Sequence, residues 1–209
     1  MKTIIIGKRS FISKELKKKI PNSSLVSAEE FMDKNFKINN KVNIIINSFY
    51  PVSKLHNIES YENFFEKSII SLSKILDRIK LTSVDKIIYT SSSAVYGSII
   101  DNSHQNDIFN RNLYSYTKLC CENLIKNFSD KKKINFIIAR VFNCYDKNNS
   151  FSVLNKILVN KETSKKIIIN NKGNSIRDFI HVSDVAKIYL ILLKNFYKGT
   201  FDVGTGKGI

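Results

Sequence analysis

Short runs of β-branched and aliphatic residues alternate along this chain with longer segments of helical apolar spacing, and that alternation restricts the fold more than any other feature. Strand, helix and strand in succession make a βαβ unit, in which the helix carries the chain back so that the strands lie parallel. Residues 3–6 form the first such run, closed by Gly7, and a helical pattern follows to about Lys19. Pro21 and Asn22 break the chain; residues 25–27 read as a weak second strand, 28–36 as a helix and 42–46 as a strong third strand. Residues 61–79 place Phe64, Phe65, Ile69, Leu72, Ile75, Leu76 and Ile79 near helical spacing, which predicts a long core-facing helix. Strands are expected at 86–89, 135–139, 167–169 and 201–203, with helices at 114–128 and 182–196, the last opened by Ser183 and Asp184. The fold class is α/β with a doubly wound parallel sheet. The stretch between Ser27 and Val42 is too short for a further strand with its helices, so one edge strand of a full dinucleotide-binding half is expected to be missing.

Charge and cysteine usage narrow the function classes. A net charge of +16 would ordinarily suggest a phosphate-rich partner. The lysines are spread along the chain, with dense runs only at 17–19 and 131–133, so compositional drift explains them better than a nucleic-acid surface does. The same positive field can draw in an anionic cofactor or a nucleotide-sugar diphosphate. Cys120, Cys121 and Cys144 have no metal or disulfide spacing, which fits a reducing cytoplasm. The opening M-K-T-I-I-I-G is too short for a secretion signal, and no run approaches a membrane span.

Three segments carry chemistry. G-K-R-S-F-I-S, from Gly7 to Ser13, stands between the first strand and its helix, where a phosphate-binding loop belongs. Of the three glycine positions that such a loop uses, only Gly7 is glycine; Ser10 and Ser13 fill the others. In Y-S-Y-T-K, Tyr114 and Lys118 are one helical turn apart, and a nearby ammonium would favour the phenolate, as a base for an alcohol requires. Tyr116 lacks that spacing. The strand at 86–89 runs into T-S-S-S-A-V-Y-G, which puts hydroxyls at the carboxyl end of a parallel strand, where open α/β sheets bind ligands. A-R-V-F-N-C-Y, G-N-S-I-R-D-F-I-H-V and F-D-V-G-T-G follow in that order.

In these segments and their order the chain resembles an extended short-chain dehydrogenase/reductase of the NAD(P)-dependent nucleotide-sugar epimerase and dehydratase group. The resemblance implies a Rossmann-type domain over residues 1–150 and a small, truncated substrate lobe over 151–209 that returns one strand to the main sheet. It implies that Ser92 hydrogen-bonds the substrate oxygen, that Tyr114 is the general acid/base, and that Lys118 holds the nicotinamide ribose and tunes that tyrosine. It places Gly7, Arg9, Ser10, Phe11, Ile12 and Ser13 at the cofactor, and Asn143 and Arg177 at the substrate's nucleotide diphosphate. Relatives pair through their long helices, which makes a homodimer the expected assembly.

Departures from the family pattern refine the expectation. Dehydrating members carry two acidic residues after the catalytic hydroxyl; Ser93 and Ala94 stand here, so epimerase or reductase chemistry is expected. Arg9 resembles the basic residue that NADP-preferring relatives set beside the 2′-phosphate, and no clear acid closes the second strand, although Glu29 and Glu30 follow. The expectation leans to NADP over NAD. His181 reads as a structural hydrogen-bonder, and His56 and His104 have no visible partners. Cys120 and Cys121 read as packing residues. Asp178 and Asp184 are expected to orient Arg177 and cap a helix rather than bind metal. The altered glycine loop and the end of the sequence soon after V-G-T-G leave a second reading open, a non-catalytic descendant that binds a dinucleotide, or nothing, and acts as a partner or sensor.

Overall fold

The computed structural model describes residues 1–38, 40–47, 50, 55, 58–79, 84–97, 112–147, 152, 154, 155, 157 and 174–209. Strands β1 (Lys2–Ile6), β2 (Ser23–Val26), β3 (Val42–Ile46), β4 (Val84–Ser92), β5 (Asn135–Val141) and β8 (Gly199–Val203) form one sheet in the order β2-β1-β3-β4-β5-β8, every pair parallel. Helices α1 (Phe11–Lys19), α2 (Ala28–Met32), α3 (Tyr61–Phe65), α4 (Ser71–Arg78), α5 (Leu113–Lys132) and α6 (Val182–Lys194) cover it. A parallel sheet is buried on both faces, which is why the strands read as continuous apolar runs.

Alternate residues of each strand supply the two layers of core. Ile5, Ile45, Ile88 and Ile137 lie in register across four strands and pack with Leu16 of α1 and Tyr189 of α6. Ile4, Ile44, Ile87 and Phe136 face the other way, against Phe31 of α2, Leu72 and Ile75 of α4, and Cys121 and Ile125 of α5. Burying each such isoleucine stabilises the fold by about 1.5–3 kcal/mol relative to exposure.

No strand lies between β2 and β3 among the described residues, so β2 is the sheet edge and the missing strand is as expected. Strand order reverses between β1 and β3, which opens a crevice beyond their carboxyl ends. Gly7 and Asn47 sit there, with the Gly7 amide donating to Val26 O and the Asn47 amide to Ile6 O, both at 3.0 Å.

Several boundaries differ from the sequence reading for local reasons. Helix α2 starts in a capping box between Ser27 and Glu30 and stops at Met32, where Asp33 turns the chain and accepts the Asn35 amide at 2.7 Å. The helix expected over 61–79 is interrupted: α3 and α4 are joined by a π-helical turn, Glu66–Ile70. Strand β4 runs on to Ser92, followed by a 3-10 turn, Ser93–Tyr96. A second, two-stranded sheet of β6 (Asn143–Tyr145) and β7 (Phe179–His181) had no alternation strong enough to announce it. The strand expected at 167–169, His56 and His104 lie outside the described residues.

Candidate functional site

Asn112 caps α5 by accepting the Ser115 amide at 3.0 Å, which sets Tyr114 in the first turn and Lys118 one turn on. Beside them ends β4, carrying Thr90, Ser91 and Ser92. The structure brings Ser92, Tyr114 and Lys118 together. Ser92 stands near enough to the Tyr114 phenol to favour its ionised form, and the Lys118 ammonium lies 5.9 Å from the centre of the Tyr114 ring. Tyr116 is exposed.

Lys118 is buried and donates to Thr90 O at 2.8 Å and to the Tyr89 hydroxyl at 3.3 Å. Burial pushes its ammonium down to about 8, against smaller upward effects of the Cys121 thiol and the Glu122 carboxylate. Tyr114 corrects one expectation from the sequence. Its phenol is held above the usual range, chiefly by burial, with Ser92 working the other way, because Lys118 directs its bonds at Thr90 and Tyr89.

The shift at Lys118 has a consequence for stability. Its folded value, about 8, lies below its ordinary 10.5, so the unfolded chain binds more protons between those values. The penalty for burying the ammonium is full below pH 8 and fades as pH rises to 10.5. Lys118→Met should therefore gain stability relative to the native chain by on the order of 2 kcal/mol more at pH 7 than at pH 10. Urea unfolding of both proteins across that range measures it; a gap independent of pH would mean that Lys118 is not buried as a cation.

The glycine loop is held by side chains that the sequence did not flag. Gly7 has φ +114°, and a Cβ there would stand 3.0 Å from that of Asn47, so glycine is required. Ser10 caps α1, accepting the Ser13 amide at 3.4 Å. Buried Ser13 accepts a hydrogen bond from the Asn47 amide group; Asn47 in turn accepts from the Thr90 hydroxyl, which meets Tyr189 at 2.7 Å. Serine thus fills a glycine position with a hydroxyl that ties α1 to β3 and β4. Phe11 and Ile12 open α1, both half-buried. Arg9 lines a cavity of about 390 Å³ together with Gly7, Ser10, Ser27 and Glu29. Glu29 is held below the usual carboxylate range by a backbone hydrogen bond and Ser27, with Arg9 and Lys67 adding to the effect. Glu30 is taken by Lys8 at 2.7 Å.

Asn143 and Arg177 belong to a second group, around the small sheet. Both are exposed; the Asn143 side chain donates to Asp178 O at 3.0 Å, and Arg177 donates to Ile176 O at 2.8 Å. Asp178 does not orient Arg177. Its carboxylate accepts from the Thr205 amide and hydroxyl and the Gly206 amide, which shapes the V-G-T-G turn. A Cβ at Gly204 would fall 2.5 Å from that carboxylate. Asp184 does not cap α6 but pairs with Lys187 at 2.8 Å; His181 is the cap, accepting the Ser183 amide at 3.2 Å, a structural role as expected. Cys121 packs in the core as expected, whereas Cys120 is exposed.

Behind the site, Glu122 accepts two hydrogen bonds from Arg140, at 3.0 and 2.8 Å, and one from Ser91 at 2.6 Å. The Arg140 guanidinium lies 4.8 Å from the centre of the Tyr96 ring, and the Tyr96 hydroxyl reaches Asp202 at 2.7 Å.

A family model described as the NAD dependent epimerase/dehydratase family matches residues 12–204. The chain belongs to that family. This member is 25% identical to a dTDP-D-glucose 4,6-dehydratase of Dictyostelium discoideum, over 93% of this chain and 48% of the relative. It is 29% identical to a putative UDP-glucose 4-epimerase of Methanocaldococcus jannaschii, over 90% of this chain and 64% of the relative. The chain thus spans about half to two thirds of the length of the curated relatives it matches. The same fold occurs in a UDP-N-acetylglucosamine 4-epimerase from Methanobrevibacter ruminantium M1 in complex with UDP-N-acetylmuramic acid, with TM-score 0.79, 20% identity, and coverage of 100% of this chain and 77% of that one. A UDP-glucose 4-epimerase of Thermus thermophilus in complex with NAD gives TM-score 0.74 at 15% identity, covering 100% of this chain and 79% of that one. Among the described residues no helix is long and apolar enough to cross a membrane.

Proposed function

We propose that this family member binds a nicotinamide dinucleotide in the crevice beyond β1 and β3 and acts as a nucleotide-sugar epimerase or reductase. The observation that carries the reading is the meeting of Ser92, Tyr114 and Lys118 at the end of β4. The residues around the crevice fit such a cofactor: the cavity is of ligand size, Gly7 and Ser10 precede a helix N-terminus, and among the described residues of its wall Lys8, Arg9 and Lys67 outnumber one acid, Glu29. A bound nicotinamide would take up and return a hydride at a sugar carbon. Tyr114 Oη removes the proton of the sugar hydroxyl as that carbon is oxidised and restores it on reduction; Ser92 holds the same oxygen. Lys118 supplies positive charge next to the phenol, and Arg177 and Asn143 hold the nucleotide diphosphate. Reduction from the opposite face gives the epimer; a single transfer makes the enzyme a reductase.

Arg9 and Lys67 in the wall favour NADP over NAD, and Glu29 offers a ribose acceptor that favours NAD. A homodimer through the long helices belongs to the proposal, with Tyr61 and Phe65 of α3 and Ile70 of the π turn exposed on the segment that includes α4. Both cofactors should raise the melting temperature in a thermal-shift titration, by about 5 °C or more at a hundredfold excess over Kd, with NADP binding the tighter. Turnover of a UDP- or dTDP-sugar would complete the case. No shift with either would favour the second reading, a partner or sensor without hydride chemistry, for which the serines at positions 10 and 13 are the motive.

A further inference from the structure

The π turn at Glu66–Ile70 contributes no buried residue to the core, although it interrupts a helix whose other turns do. Widening one turn costs good i→i−4 hydrogen bonds and re-aims the side chains after it by about 100°. Local polar groups support it: the Ser71 hydroxyl donates to Glu66 O at 2.7 Å, the Ser73 hydroxyl to Ile69 O at 3.1 Å, and Lys74 pairs with the Glu66 carboxylate at 2.7 Å. Two cavities lie beside it. Lys67 lines the small one beside Asn47, Tyr114 and Lys118, and also the larger one beside Gly7, Arg9 and Glu29. Among the described residues it is the wall position common to both.

We propose that Lys67, placed by the π turn, binds a phosphate of the dinucleotide. This rests on the dinucleotide reading above and adds a residue to it. A ligand that reaches from the Arg9 end of the crevice to Tyr114 has to pass Lys67. Two of the glycine positions that let backbone amides approach a pyrophosphate are serines here. A lysine on the facing helix can supply the charge from the other wall, and its flexible stem tolerates the narrower gap. Glu29 is near enough to both Arg9 and Lys67 for each to favour its ionised form. Lys8 is engaged by Glu30, so Lys67 and Arg9 are the wall cations left for an anion.

Titration of the whole chain with NADH and NADPH, followed by their own fluorescence, tests this with Lys67→Met, Lys67→Gln and Lys67→Arg; Lys19→Met, at the exposed C-terminal end of α1, is the control for loss of one surface charge. Both neutral variants should weaken binding about tenfold, while Lys67→Arg and Lys19→Met stay within about threefold. An equal loss for NADH and NADPH assigns Lys67 to the pyrophosphate, and a loss for NADPH alone assigns it to the 2′-phosphate; either supports the proposal. Lys67 is half-buried, so a folded variant is expected, and the glutamine variant serves should the methionine variant not fold. Native affinity in the neutral variants overturns the role of Lys67 and leaves the dinucleotide reading standing. A native chain that binds neither nucleotide overturns both.

Discussion

Tyr114→Phe is expected to lower kcat for nucleotide-sugar turnover by about a thousandfold while leaving the Kd for NAD and NADP within about threefold of native. The variant removes one oxygen. Ser92 keeps the Ala94 amide, whose hydrogen bond its hydroxyl accepts at 3.2 Å, and Lys118 keeps Thr90 and Tyr89, so the surroundings should stand. What is lost is the group that takes the proton. Because burial holds the Tyr114 phenol above its ordinary range, it is protonated at neutral pH in the unliganded chain. Native turnover in the direction of alcohol oxidation should therefore rise with pH, since only the phenolate accepts a proton. Single-turnover measurement of hydride transfer against pH separates this from effects on binding. Near-native rates in the phenylalanine variant would remove Tyr114 from the chemistry.

The second large effect concerns stability. Glu122→Leu should destabilise the chain by about 3–5 kcal/mol, and lower its melting temperature by about 10 °C. The Glu122 side chain is 2% exposed and that of Arg140 17%, so removing the carboxylate strands a guanidinium that water reaches poorly. Ser91 is buried as well, and its hydroxyl loses its acceptor. The double variant Glu122→Leu with Arg140→Met should regain most of the loss, because burying two apolar groups costs less than burying one lone charge. It should not regain all of it, since Arg140 also stacks on Tyr96, which fastens the 3-10 turn to Asp202 of β8. Chemical denaturation of the three variants forms a double-mutant cycle. A single variant that loses less than about 1 kcal/mol would show that solvent already serves Arg140.

Much of this architecture was written locally. The isoleucine runs at β1 and β3 can be satisfied only by a sheet buried on both faces, and the helical spacing between strands forces that sheet to be parallel. The tyrosine and lysine one turn apart, and the serines closing β4, were legible because helix period and strand end fix where those side chains point. The missing edge strand was legible in the short stretch between Ser27 and Val42, whereas the reversal of strand order that opens the crevice is seen only in the fold.

Other properties depended on which distant segments the fold brings into contact, and no periodicity encodes that. Ser13 looked like a damaged glycine until β3 set Asn47 against it. The Tyr114 phenol was expected to be acidified by its neighbour, but Thr90 and Tyr89, from β4, take the hydrogen bonds of Lys118. Asp178 serves Thr205 and Gly206 instead of the adjacent arginine, because a carboxylate is satisfied by whichever donors the returning chain presents. Lys67 has an ordinary place in an amphipathic pattern, and only the fold sets it in the wall of the crevice. The sequence by itself determined the layers, the parallel sheet and the face that bears the reactive side chains, since these follow from repeating backbone geometry and burial. Tertiary structure alone decided the partners of each buried polar group, and with them its charge state, because hydrogen bonds and desolvation act over a few ångströms between residues far apart in the chain.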